Sequence, residues 1–111
     1  MMELVRIAGL PDDPLEAAAA FHVEQVAPVR AATTDLLLVF PAADHTHRGW
    51  RLAAVQMLAR AKAPLRVNAV AGGSEASVAA AAEYLARAPG LTGQLISLDD
   101  AGAGAVIASS S

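Results

Sequence analysis

The chain has 111 residues, enough for one domain with a single sheet and a few helices, and too few for two separate cores. Apolar residues make up 55% of it, but much of that is alanine and only 4% is aromatic, so close helix packing must supply what large side chains do not. A formal charge of -3 with no dense run of Lys or Arg argues against nucleic acid and membrane as partners, and the lack of cysteine excludes a disulfide framework, a thiolate nucleophile and a Cys-bound metal.

The opening MMELVRIAGL has a Glu where a signal peptide would be basic, and no apolar run approaches spanning length, so a cytoplasmic location is expected. Glu3 to Ala8 reads as a short strand closed by Gly9 and Pro11. Asp13, Pro14 and Glu16 then give three helix-start signals in four residues, and the alanine run carries that helix through Phe21 and Val26. A kink or restart is expected at Pro28, with a further turn to Ala32. After a polar break at Thr33 to Asp35, the run Leu36 to Phe40 is apolar without alternation, as in a parallel strand covered on both faces.

Pro41 ends that strand, and Asp44 or Thr46 can cap the next helix. Its apolar residues Trp50, Ala53, Ala54, Met57, Leu58 and Ala61 recur at three and four. Pro64 resets the chain into a central strand, Leu65 to Val70, which runs into Gly72 and Gly73. Ser74 caps a third helix with Val78, Ala81, Ala82 and Leu85 on one face, stopped by Pro89 and Gly90. Gln94 to Leu98 is the last strand, and 100–111 reads as a loose tail to a single domain spanning 1–111. Strict alternation predicts an α/β fold: a half-size, Rossmann-like parallel sheet of four strands in sequential order with three main helices.

Three stretches give this pattern a family likeness. Arg66 to Gly73, RVNAVAGG, resembles the strand and turn written RVNAVAPG in the short-chain dehydrogenase/reductase family. Thr92 to Gln94, with Leu98 and Asp99 following, resembles that family's final strand. The helix Leu52 to Arg60, LAAVQMLAR, is similar to the one that follows the family's catalytic lysine, and Val29 to Ala32 is similar to the end of the helix before it. The likeness covers nearly the whole chain and corresponds to the second half of the family's domain, beginning near its fourth strand.

The departures bear on activity. The glycine-rich turn that brings backbone amides to a dinucleotide pyrophosphate has no counterpart, since Gly72 and Gly73 follow the wrong strand and lack a third glycine. In the register of the resemblance, the family's catalytic tyrosine and lysine fall on Arg48 and Leu52. Its serine falls on Pro41 or Ala42, its asparagine around Phe21 to Val23, and the proline of its turn on Gly72. Arg cannot act as a general acid near neutral pH, so neither a cofactor nor catalytic residues are assigned.

Several residues remain as a candidate ligand pocket. Asp44, His45 and His47 sit after the second strand, at the end where open α/β sheets place ligands. They could hold zinc, although a polar loop with exposed imidazoles is the favoured reading and no metal is assigned. Arg48, Trp50 and Arg51 could recognise an anion, against a favoured reading in which Trp50 starts the apolar stripe and both arginines face water. Gly72, Gly73 and Ser74 could bind phosphate at a helix N-terminus, or simply form a tight turn and its cap. His22 and Tyr84 read as ordinary helix residues.

The expected function is a non-catalytic interaction or assembly module; the alternative is a small-molecule binder or unorthodox enzyme built on His45, His47, Arg48 and Arg51. The Met1 start and the catalytic losses argue against a fragment of a longer enzyme. The resemblance implies a homo-oligomer paired through helices 14–32 and 45–62, or a hetero-oligomer with a full-length relative. Right-handed crossovers would leave one sheet face bare, so either the third helix crosses to it or another chain covers it.

Overall fold

The structure, a computed structural model, describes residues 2–98; Asp99 and the tail expected over 100–111 lie outside the described residues. Four strands, β1 (Met2–Arg6), β2 (Asp35–Phe40), β3 (Val67–Ala71) and β4 (Leu95–Ser97), run parallel in that spatial order. They alternate with α1 (Pro14–Glu24), α2 (Val26–Ala31), α3 (Arg48–Lys62) and α4 (Glu75–Ala86), and a 3-10 turn at His45–His47 leads into α3. This is the half-size Rossmann-like sheet that the alternation predicts. Among the described residues no helix is long and apolar enough to cross a membrane.

The continuous run of β2 is buried from Leu36 to Phe40 because both faces of the sheet are covered. Leu36, Leu38 and Phe40 pair in register with Val67, Ala69 and Ala71, and all but the partly buried Ala71 lie in the core beneath α1, α2 and α3, which contribute Phe21, Val29, Val55 and Leu58. The alternate residues Leu37, Val39 and Val70 meet Val78, Ala81 and Leu85 of α4 in a second core. The strands step in one direction across the sheet, so three crossovers of one hand would leave every helix on one side. The β3–α4–β4 crossover therefore has the opposite hand to the two before it, and it is the third helix that covers the second face.

Several boundaries depart from the sequence reading. The restart expected at Pro28 falls at Gln25, because a proline ring clashes with the carbonyl four residues back, here that of Glu24, where α1 ends. Pro28 itself lies in the first turn of α2, where its missing amide hydrogen is not needed. The central strand begins at Val67 rather than Leu65: Leu65 N–H donates to Lys62 O in a turn, and Arg66 N–H donates to Asp35 Oδ1. The outer strands are also shifted or trimmed, from Glu3–Ala8 to Met2–Arg6 and from Gln94–Leu98 to Leu95–Ser97.

The buried stripe of α3 is rotated from the expected one. Arg51, Ala54, Val55, Leu58 and Ala59 are buried, whereas Ala53, Met57 and Ala61 are exposed. The residues of the family-like motif serve the fold directly. Arg66 forms an ion pair with Asp35 at 3.0 Å and donates to the carbonyls of Leu85 and Ala88 at the end of α4. Asn68, 1% exposed, donates to Leu91 O and accepts from Gln94 N–H, fixing the turn that Thr92 also holds by accepting from Val67 N–H.

Candidate functional site

Two cavities open at the carboxyl ends of the strands, and Arg51 lines both. The smaller, about 110 Å³, lies between the loop after β1 (Gly9 to Asp12), the loop after β2 (Pro41 to Ala43) and the side chains of His47 and Trp50. The larger, about 220 Å³, is walled by Ala43, Asp44, His45, Arg48, Ala71, Leu95 and Ser97. His45, Arg48 and Arg51 thus share the larger cavity, and His47 turns to the smaller one. Gly72, Gly73 and Ser74 line neither.

His47 is structural. Its Nδ1 accepts from the indole N–H of Trp50 at 3.0 Å. Indole can only donate, so the ring proton lies on Nε2, which donates to Asp12 O at 2.8 Å. Both nitrogens are spent on tying α3 to the loop after β1. Among the described residues no group of three His, Cys, Asp or Glu is placed to hold a metal ion. Asp44 caps the 3-10 turn by accepting from the amide and the hydroxyl of Thr46, and these bonds hold its carboxyl below the usual range.

Arg51 overturns the reading in which both arginines face water. It is 5% exposed, with its guanidinium carbon 4.6 Å from the centroid of the Phe40 ring and 5.8 Å from that of Trp50. Its Nη1 donates to Pro41 O at 3.0 Å, while its buried Nε has no acceptor among the described residues. Among the described residues no carboxylate pairs with it or with Arg48. Burial pulls the Arg51 pKa downward, yet guanidinium remains protonated, so the fold encloses a cation that only a carbonyl and two ring faces balance. The sequence did carry a signal for this: Arg51 begins the i, i+3, i+4, i+7, i+8 repeat completed by Ala54, Val55, Leu58 and Ala59.

The glycine turn packs closely against Leu98 and Ser77. A Cβ on Gly73 would come within 2.7 Å of Leu98 Cβ and Ser77 Oγ. Two amides at the start of α4 are spent in a capping box, Ser74 N–H on Ser77 Oγ and Ser77 N–H on Ser74 Oγ. Gly72 and Gly73, both at positive φ, make the turn from β3, and Ser74 caps α4.

The remaining chemistry-bearing residues lie elsewhere. Lys62, the single lysine of the sequence, donates from the end of α3 to the carbonyls of Arg30 and Ala32, beside the start of β2. Tyr84, the single tyrosine, lies half-exposed in the last turns of α4, whose carbonyls contact Arg66 just before β3. Both are at the end of the sheet opposite the cavities. Arg48 is half-buried on the larger cavity, and Leu52 packs against the core.

Residues 5–98 match the family described as SDR-like, short chain dehydrogenase-like protein. No curated protein and no solved structure matches the chain.

Proposed function

The chain belongs to the SDR-like family of short chain dehydrogenase-like proteins, and from that membership we propose that it serves as a non-catalytic assembly module. The observation that carries this reading is the placement of Tyr84 and Lys62 at the opposite end of the sheet from the strand-end cavities. A proton donor must lie within hydrogen-bond reach of the reacting group, and neither residue reaches the end where open α/β sheets bind ligands. The positions that resemble the family's catalytic pair hold Arg48 and Leu52.

The helix layer supports the assembly half of the reading. Leu15 and Val23 on α1 are 79% and 81% exposed, and Met57 on α3 is 47% exposed, an unusual outlay of large apolar residues on one layer. A largely apolar groove of about 180 Å³ runs between the helices, lined by Phe21, Val26, Ala54, Met57, Leu58 and Ala61. The partner is a second copy of the chain, paired through helices 14–31 and 48–62 about a two-fold axis.

Sedimentation velocity at micromolar protein tests this. A species of twice 11.3 kDa, with no NADH or NADPH turnover on carbonyl or alcohol substrates, is the expected result. A single-chain mass that rises only when a full-length relative is added would transfer the interface to a hetero-oligomer, and dinucleotide turnover would overturn the non-catalytic reading.

A further inference from the structure

The strand-end cavities carry an electrostatic feature that assembly does not use. Among the described residues Arg51 is buried with an unpartnered Nε and no carboxylate in reach, and the Arg48 side chain joins it on the larger cavity without an ion pair or hydrogen bond. Enclosing one cation without a counter-ion is costly, and setting a second beside it adds like-charge repulsion. Asp44 on the same wall does not relieve this, since its carboxylate is engaged by Thr46 and pairs with neither arginine.

We propose that the 220 Å³ cavity between Arg48 and Arg51 binds a small oxyanion, the carboxylate or phosphate group of a small metabolite. The planar guanidinium fork suits either group, with donors left over after the single bond to Pro41 O. The volume is several times the roughly 30 Å³ occupied by a water molecule and lies below the ~300 Å³ at which pockets for larger ligands begin. A small acid of a few heavy atoms fits. The Arg51 guanidinium lies over the rings of Phe40 and Trp50, and the His47 bond to Trp50 fixes the indole in turn. The site is thereby built before any ligand arrives.

Trp50, the only tryptophan, stands beside Arg51 and reports on it. Titration of the full chain with inorganic phosphate and with malonate, against sodium chloride at matched ionic strength, should give a saturable change in Trp50 fluorescence and a rise in Tm for at least one of them. The probe that saturates at the lower concentration identifies the group as phosphate or carboxylate. Arg48→Gln, at a half-buried surface position that leaves the core intact, should weaken that binding about tenfold or more. Arg51→Lys, which keeps the charge and loses the fork, should weaken it further, and Arg48→Gln alone decides the matter if that second variant does not fold.

A response equal to that of chloride, or one unchanged by Arg48→Gln, would overturn the proposal. So would a response that emerges only in the Asp99→Asn, Asp100→Asn variant, because the chain's own carboxylates would then be the occupant. The outcome does not depend on sedimentation mass or turnover, so this proposal and the assembly reading stand or fall separately.

Discussion

The indole of Trp50 donates to Nδ1 of His47 at 3.0 Å, and the same imidazole donates from Nε2 to Asp12 O at 2.8 Å. One ring thus joins the start of α3 to the loop after β1. Replacing His47 with Leu keeps the volume and strands both partners. We expect a loss of about 1–3 kcal/mol in denaturant unfolding. Faster exchange of the Trp50 indole proton, followed by NMR, checks that the loss arises at this bond.

Asp35 gives the fold an acid dependence of definite sign. Its carboxyl is held below the ordinary value chiefly by the hydrogen bond from the Arg66 amide; burial opposes this, and the Arg66 guanidinium reinforces it. A folded-state pKa below the unfolded one stabilises above the unfolded value of about 3.9, and the stabilisation is lost as pH falls through the folded value. Asp35→Asn should therefore cost about 1.5–3 kcal/mol at pH 7. Urea midpoints measured from pH 7 downward should converge for the two proteins below pH ~4.

Two glycines should respond oppositely to alanine. Gly73 has φ +85° and would drive a Cβ into Leu98 and Ser77, so Gly73→Ala should destabilise by about 1–3 kcal/mol. Gly49 lies in the first turn of α3 with nothing within 4 Å of its added Cβ, so Gly49→Ala should stabilise by about 0.5–1 kcal/mol. Thermal melts of the two variants beside the parent are sufficient.

Met57 tests the helix-layer interface without touching the core. It is 47% exposed on α3 and lines the groove between the helices. Met57→Glu should shift the proposed dimer to single chains, weakening association by about tenfold or more through burial of an unpaired charge. Circular dichroism should be unchanged. A variant that sediments as the parent does would remove α3 from the interface.

Much of the fold was legible in the residues themselves. Helix starts were announced by Asp13 with Pro14 and by Ser74, and β2 by an unbroken apolar run, because capping and two-sided burial leave local signatures. The face that α4 covers was not legible, since the hand of a crossover depends on packing across the whole sheet. The candidate site was read in part. His45, Arg48 and Arg51 do share one cavity, but the role of Arg51 was hidden by counting only apolar residues along α3. A charged residue with a long aliphatic stem can occupy a core stripe when rings and a carbonyl receive its head, and Phe40, Trp50 and Pro41 come from different parts of the chain. Likewise the imidazole of His47 could be assigned only after Trp50 and Asp12 were seen to bracket it.

The sheet separates two apolar layers that share strands but no helix, an arrangement in which each layer could in principle melt alone. Arg66 opposes that. Its backbone amide and guanidinium hold Asp35 at the head of β2, and the same guanidinium holds the last carbonyls of α4. Releasing α4 therefore exposes an ion pair that also orders the strand shared by both layers. One side chain thus couples two stacked halves, and α4 and the helices on the far face are expected to leave the native state together.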